Sequence, residues 1–177
     1  MDKDVIIAPS ILSADFSNLG QEIRDIDEAG ADWMHLDVMD GHYVPNLTFG
    51  PPIISKIRKF TKKIFDTHLM VSNPDDLLES YKDAGSDSIT VHKEVCDDLD
   101  KTLSRIRQLG CKAGVSINPE TSFSGLEKFL DKLDLILVMS VKPGFGGQKF
   151  IPSTIDKIKN IKSLIGKRQI LLQVDGG

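Results

Sequence analysis

The residues best suited to chemistry sit at the ends of short apolar runs. His35 and Asp37 flank Leu36 in one of them. Alternate strand side chains share a face, which places these two about 6.5–7 Å apart along the chain. Both could then ligate one metal ion. A lone His-x-Asp recurs by chance and more often serves a hydrogen bond in a core. An ionised aspartate on an inward strand face is costly without a partner, however, and that favours a metal. Two more runs end in His68 and in Asp175. Two imidazoles and two carboxylates make a mixed nitrogen and oxygen set that suits one divalent ion, whether Zn, Fe, Mn or Co. Such an ion would polarise a carbonyl and its neighbouring hydroxyl and stabilise an enediolate formed by loss of the α proton.

Three methionines lie at comparable places. Met39 and Met70 stand two residues beyond Asp37 and His68, and Met139 ends another run. Methionine is usually core filler, but three at strand ends suggest an apolar lining that keeps water from a reactive intermediate. Lys142 to Gln148 form a glycine-rich loop before a helix starting near Ser153. Alone, such a loop reads as a flexible connection. Between a strand and a helix it reads as a cradle of backbone N–H groups for a phosphate. His42 reads as a loop contact, and His92 as a mouth residue or a hydrogen-bonded support. Lys56 to Lys63 read as a solvated basic face.

Positioning these groups requires many strands with their ends together. Apolar runs at Val5 to Ala8, Trp33 to Val38, Ile64 to Phe65 with Leu69, Ile89 to Val91, Ala113 to Ile117, Leu135 to Val141 and Ile170 to Val174 predict seven strands. Among the stretches between them, Ser17 to Ala29, Pro74 to Ala84, Asp98 to Leu109 and Ser153 to Ile165 carry apolar residues three and four apart, the helical spacing. Asn73 before Pro74 reads as a helix N-cap, and Gly30, Gly85 and Gly110 as helix stops. Strands alternating with six helices predict βαβ units and a parallel sheet. Periodicity does not separate an open doubly wound sheet from a closed barrel. The gathering of His35, Asp37, His68, His92 and Asp175 at strand ends favours the barrel.

Bulk properties agree with one domain over residues 1–177. Apolar residues make up 40% and charged residues 27% of the chain, with a formal charge of -4. That balance argues against a nucleic-acid groove. Cys96 and Cys111 fit neither a CxxC pair nor a zinc spacing and read as reduced, packed thiols. No run is long enough for a membrane span and no signal peptide is visible, so the expected location is the cytoplasm.

Together, the stretches Ala8 to Phe16, His35 to Pro52, Thr67 to Met70, Val138 to Gln148 and Val174 to Gly177 resemble the ribulose-phosphate 3-epimerase family. The segments Met39 to Asn46 and Pro143 to Gln148 are the most specific. The resemblance implies an isomerase on an α/β (β/α)8 TIM barrel that interconverts D-ribulose 5-phosphate and D-xylulose 5-phosphate, in the pentose phosphate pathway. It implies His35, Asp37, His68 and Asp175 as metal ligands, with Asp37 and Asp175 as the catalytic acid-base pair. The implied substrate contacts are Ser10, His68, Gly144, Phe145, Gly146, Gly147, Asp175, Gly176 and Gly177, beside Met39, Met70 and Met139. A homo-oligomer, dimer or hexamer, is expected, with no nucleic-acid or membrane partner.

Two departures stand out. Lys142 occupies a position where the family often has Asn or Glu. The family pattern also continues past the Val174 to Gly177 motif with a last βα unit that helps hold phosphate. A natural chain longer by roughly 40 to 50 residues is therefore expected from the usual barrel size. A chain ending here would expose two sheet edges and grip phosphate weakly. Alternative readings are a D-allulose-6-phosphate 3-epimerase, a phosphate-binding barrel lyase with a strand-end lysine such as Lys93, and a non-catalytic binding fragment.

Overall fold

A computed structural model of the chain describes residues 5–176. Six parallel strands follow one another in sheet order: β1 Trp33–Met39, β2 Ile64–Met70, β3 Ser88–His92, β4 Lys112–Ile117, β5 Leu135–Met139 and β6 Leu171–Asp175. The α-helices between them are α1 Leu19–Glu28, α2 Pro51–Ile57, α3 Leu78–Asp83, α4 Leu99–Gln108 and α5 Thr154–Ile165, with α1 preceding β1. A 3-10 segment at Leu126–Lys132 links β4 to β5. Sequential parallel pairing without reversal is the pattern of a barrel wall, not of a doubly wound sheet.

The first of the seven predicted strands differs. Residues 5–9 form no named strand but run beside β1 as an extended segment. Asp32 and Trp33 donate backbone N–H groups to Ile7 O, His35 N donates to Pro9 O, and Ser10 bridges His35 in the parallel sense. Pro9 has no N–H to give, which interrupts a regular ladder there.

Strand alternation sorts the side chains into two populations. Met34, Leu36, Phe65, Leu69, Ile89, Val91, Ala113, Val115, Ile136 and Val138 face outward and pack with Ile23, Ile54, Leu78, Leu103, Ile106 and Ile161 of the helices. The concave face holds a smaller apolar cluster of Trp33, Leu135, Leu137, Met139 and Val141. It also carries buried polar groups at the same parity: His35, Asp37, Asp66, His68, Thr90 and His92. The sheet curls enough that β6 reaches back across it. Gln173 Nε2 lies 2.9 Å from Asp66 Oδ2 on β2 and 3.3 Å from His35 Nδ1 on β1.

Gly30, Gly85 and Gly110 follow their helices with positive φ, as the helix-stop reading expects. The Asn73 cap does not form. Pro74–Asp76 are a 3-10 turn without a side-chain cap, and the Asn73 amide donates to the Asp76 carboxylate. Nor is the basic stretch simply solvated. Arg58 donates to Thr61 O, Lys63 O and Asp87 and stacks 3.8 Å from the Phe65 ring centre, bracing the turn into β2. Among the described residues, no helix is long and apolar enough to cross a membrane.

Candidate active site

Parallel register sets the centre of the site. Asp37 on β1 pairs with His68 on β2, and His35 with Asp66. Asp175 comes from the end of β6. His35, Asp37, His68 and Asp175 each offer one ligand atom, and all four atoms lie within 4.8 Å of one another. Asp37 Oδ1 is 3.1 Å from His68 Nδ1 and 3.3 Å from His35 Nε2. Asp175 Oδ2 is 3.5 Å from His68 Nδ1 and 3.9 Å from His35 Nε2. His35 Nε2 is buried without a hydrogen-bond partner and faces both carboxylates. An orphaned imidazole nitrogen beside two carboxylates and a second imidazole matches the donor chemistry of a divalent transition metal.

Electrostatics ties the cluster together. Burial opposes charge on His35, yet the Asp37 and Asp66 carboxylates outweigh it and hold the imidazole's pKa well above its usual value. Burial likewise opposes ionisation of Asp37, and His35 and His68 overcome it, leaving that pKa well below the carboxylate range. His68 is raised against burial by Asp175 and Asp37. A divalent cation would displace the imidazole protons and keep the charge in balance.

Behind the four residues lies a layer in which the sequence points to His92 as a support but not to Asp66 or Gln173. Asp66, fully buried, sits with an oxygen 2.8 Å from His35 Nδ1. It fixes the ring so that Nε2 points at the cluster, the arrangement by which a carboxylate orients a metal-binding histidine. Gln173 donates in turn to Asp66. The available signal was parity: Asp66 is two residues from His68, and Gln173 two from Asp175, so each shares a face with a ligand. His92 lies behind His68, with their Nε2 atoms 2.8 Å apart, and so supports the cluster from within. His42 is exposed and hydrogen-bonds within its own loop, with Nδ1 3.0 Å from Asp40 O.

A cleft of about 240 Å³ opens over the cluster. Met39, Met70 and Met139 line it together with Asp37, Asp175 and Ser10. Ser10 Oγ donates to the Asp37 carboxylate and accepts from Leu12 N. His68, expected also to touch substrate, is wholly buried beneath the floor of the cleft and does not line it. The far wall is the loop Lys142 to Gln148. Asn46 Nδ2 donates to Gly144 O at 2.8 Å, and Gln148 Nε2 donates to Lys142 O and Phe145 O at 2.7 Å each. These bonds shape the loop around Gly144, Phe145, Gly146 and Gly147. Gly176 also lines the cleft, with φ at +112°, and a Cβ there would lie 2.6 Å from Val141. Gly177 lies outside the described residues. Lys93 faces away, its Nζ donating to Ser122 O and Ser124 O, where it cannot serve the cleft.

Comparison with known proteins gives the family and the fold. The model of the ribulose-phosphate 3 epimerase family matches residues 6–177. The chain is 51% identical to the ribulose-phosphate 3-epimerase of Synechocystis sp., over 100% of this chain and 79% of that protein. It is 49% identical to that of Bacillus subtilis, over 97% of this chain and 80% of the other. Among solved structures, a mutant tryptophan synthase alpha-subunit from Pyrococcus furiosus superposes with a TM-score of 0.72 at 15% identity, covering 98% of this chain and 78% of that one. The 3-keto-L-gulonate-6-phosphate decarboxylase from Vibrio cholerae gives 0.68 at 16% identity, over 97% of this chain and 78% of that one. Identities that low establish the α/β barrel fold alone. The two epimerases, matched over at least 97% of this chain, establish more: the chain belongs to the ribulose-phosphate 3-epimerase family.

Proposed function

We propose that this chain interconverts D-ribulose 5-phosphate and D-xylulose 5-phosphate by moving the C3 proton between Asp37 and Asp175. The observation that carries the reading is the convergence of these two carboxylates, from the first and last strands of the curled sheet, on one pair of imidazoles beneath the cleft floor. Epimerisation needs one group to remove a proton from one face of a flat enediolate and another to return one to the opposite face. Asp37 is held in the ionised form that a base requires. Asp175 is the partner acid, and the roles exchange in the reverse direction.

His35, Asp37, His68 and Asp175 would hold one divalent ion; their mixed donors suit Zn, Fe, Mn or Co. When bound, it supplies Lewis-acid stabilisation of the negative charge that develops on the two substrate oxygens. Ser10 orients the Asp37 carboxylate and stands at the cleft for a substrate hydroxyl. Met39, Met70 and Met139 keep water from the enediolate. Gly144 to Gly147, with Gly176 and Gly177, take the phosphate through backbone N–H groups. A homo-oligomer in the cytoplasm completes the reading.

Solvent exchange tests it. In deuterium oxide the chain should place deuterium at C3 of ribulose 5-phosphate, and both chelation and Asp37→Asn should abolish this. Exchange that survives complete metal removal eliminates the metal's role, and exchange that survives Asp37→Asn eliminates the assigned base. A higher kcat/KM for D-allulose 6-phosphate than for the pentulose would move the assignment to the hexulose reading. Sedimentation as a monomer at all concentrations would remove the oligomer.

A further inference from the structure

We propose that Glu94 is a positioning residue: it sets the direction of a buried hydrogen-bond chain and thereby holds His68 in the tautomer able to ligate a metal. The inference rests on the reading of His68 as a ligand and concerns groups that never touch the substrate. The chain runs from His68 Nε2 to His92 Nε2 at 2.8 Å, then from His92 Nδ1 to Tyr43 Oη at 2.8 Å and Glu94 Oε2 at 3.3 Å. Both imidazoles are fully buried. Asn118 Nδ2 donates to Tyr43 Oη at 2.9 Å, and Asn118 N donates to Glu94 Oε1 at 2.9 Å.

Two proton orders are possible for neutral rings, because the 2.8 Å contact between the two Nε2 atoms holds one proton. In the first, His68 Nε2–H donates to His92 Nε2, and His92 Nδ1–H donates to Tyr43 Oη and Glu94. His68 Nδ1 then carries a lone pair facing Asp37 and Asp175, which is the ligating form. Tyr43 keeps its own proton for Glu94. In the second order every bond reverses. His92 Nε2–H donates to His68, the proton of His68 moves to Nδ1, and that nitrogen no longer has a lone pair for a cation. His92 Nδ1 then presents a lone pair towards Glu94.

An ionised carboxylate accepts only. Glu94 is compatible with the first order and repels the second. Neither Tyr43 nor Asn118 makes that distinction. The Tyr43 hydroxyl can donate or accept, and Asn118 donates to it in both orders. The carboxylate is held in place from outside by the Asn118 backbone, and the loop carrying Asn118 is clamped by Lys157 of α5. Lys157 Nζ donates to Asn118 O, Pro119 O and Thr121 O at 2.7 Å each.

The test pairs affinity with a direct view of the rings. In the zinc-loaded wild-type protein, 15N spectra of the histidine side chains should show His92 protonated on Nδ1 and bare on Nε2. A proton on His92 Nε2 in that state overturns the proposal without any variant. Glu94→Gln keeps the size but offers an amide donor to His92 Nδ1. Its zinc affinity, measured by competition with a chelator, should fall about 10- to 100-fold, the range for losing such a supporting partner. Tyr43→Phe leaves Glu94 as acceptor and should cost less. Glu94→Gln binding zinc within about threefold of wild type refutes the role of Glu94 while leaving the metal site intact. If the wild-type chain binds no divalent metal, the ligand reading fails, and this inference with it.

Discussion

Replacing Asp66 with asparagine isolates the support behind the proposed metal site from the site itself. Asp66 is no candidate ligand, and its burial leaves no path to substrate. Its Oδ2 binds His35 Nδ1 at 2.8 Å and Gln173 Nε2 at 2.9 Å. Asparagine can turn its carbonyl to the same two donors, so the shape and both hydrogen bonds survive and only the charge goes. A hydrogen bond to a charged group contributes about 1.5–3 kcal/mol and a neutral one about 0.5–1.5. The difference, about 1–1.5 kcal/mol, corresponds to roughly a tenfold loss of metal affinity. The loss should depend on pH in a definite sense. Asp66 also helps raise the pKa of His35, so its removal weakens the proton that competes with the metal. Chelator competition with zinc should therefore show the full loss at alkaline pH and a smaller one as pH falls. A loss that is absent at alkaline pH, or that grows on acidification, would refute the argument that Asp66 acts through the basicity of His35.

Chelated wild-type protein should bind divalent metal more weakly as pH drops through the raised folded-state pKa values of His35 and His68, with a slope approaching two protons per cation; isothermal titration at several pH values reads this. Without metal, those raised values stabilise the fold fully below the unfolded value of about 6.5, and the contribution is lost as pH rises above it, so the Tm of the chelated protein should fall on the alkaline side. Asn46→Ala frees Gly144 O and should raise KM several-fold, from a bond worth about 0.5–1.5 kcal/mol, with metal affinity unchanged. Gly176→Ala forces a methyl group against Val141 at φ +112° and should destabilise the fold by about 1–3 kcal/mol in urea titration.

Legibility followed chemical type and parity. His35, Asp37, His68 and Asp175 stood out because an ionisable group at the end of an apolar strand needs a partner, and the structure brings those four together. Asp66 and Gln173 lie inside strands at the same parity, but a single polar residue in a strand does not reveal what it meets across the barrel. That meeting depends on the curl of the sheet, which brings β6 back to β1 and β2 and which periodicity does not encode. The pairing of His92 with His68 was hidden for the same reason: it joins residues 24 apart on different strands. The first apolar run has the pattern of a strand as far as Ala8, whereas Pro9 breaks the ladder. Nor does Asn73 cap the turn that follows it; its amide donates to Asp76 three residues on.

The register between β1 and β2 bears on how the chain finds its fold. Each imidazole stands directly opposite a carboxylate, His35 against Asp66 and Asp37 against His68. A slip of one residue turns the polar pair of the slipped strand towards the helices, away from its partners. A slip of two keeps the faces but sets Asp37 against Asp66, or His35 against His68, and leaves the remaining polar partners opposite methionine, isoleucine or tryptophan. Among these alignments, only the native one matches every charge. His35, Asp37 and His68, three of the four candidate ligands, thus join Asp66 in penalising every other alignment of β1 with β2, and a misaligned pair would not bring the candidate ligands together.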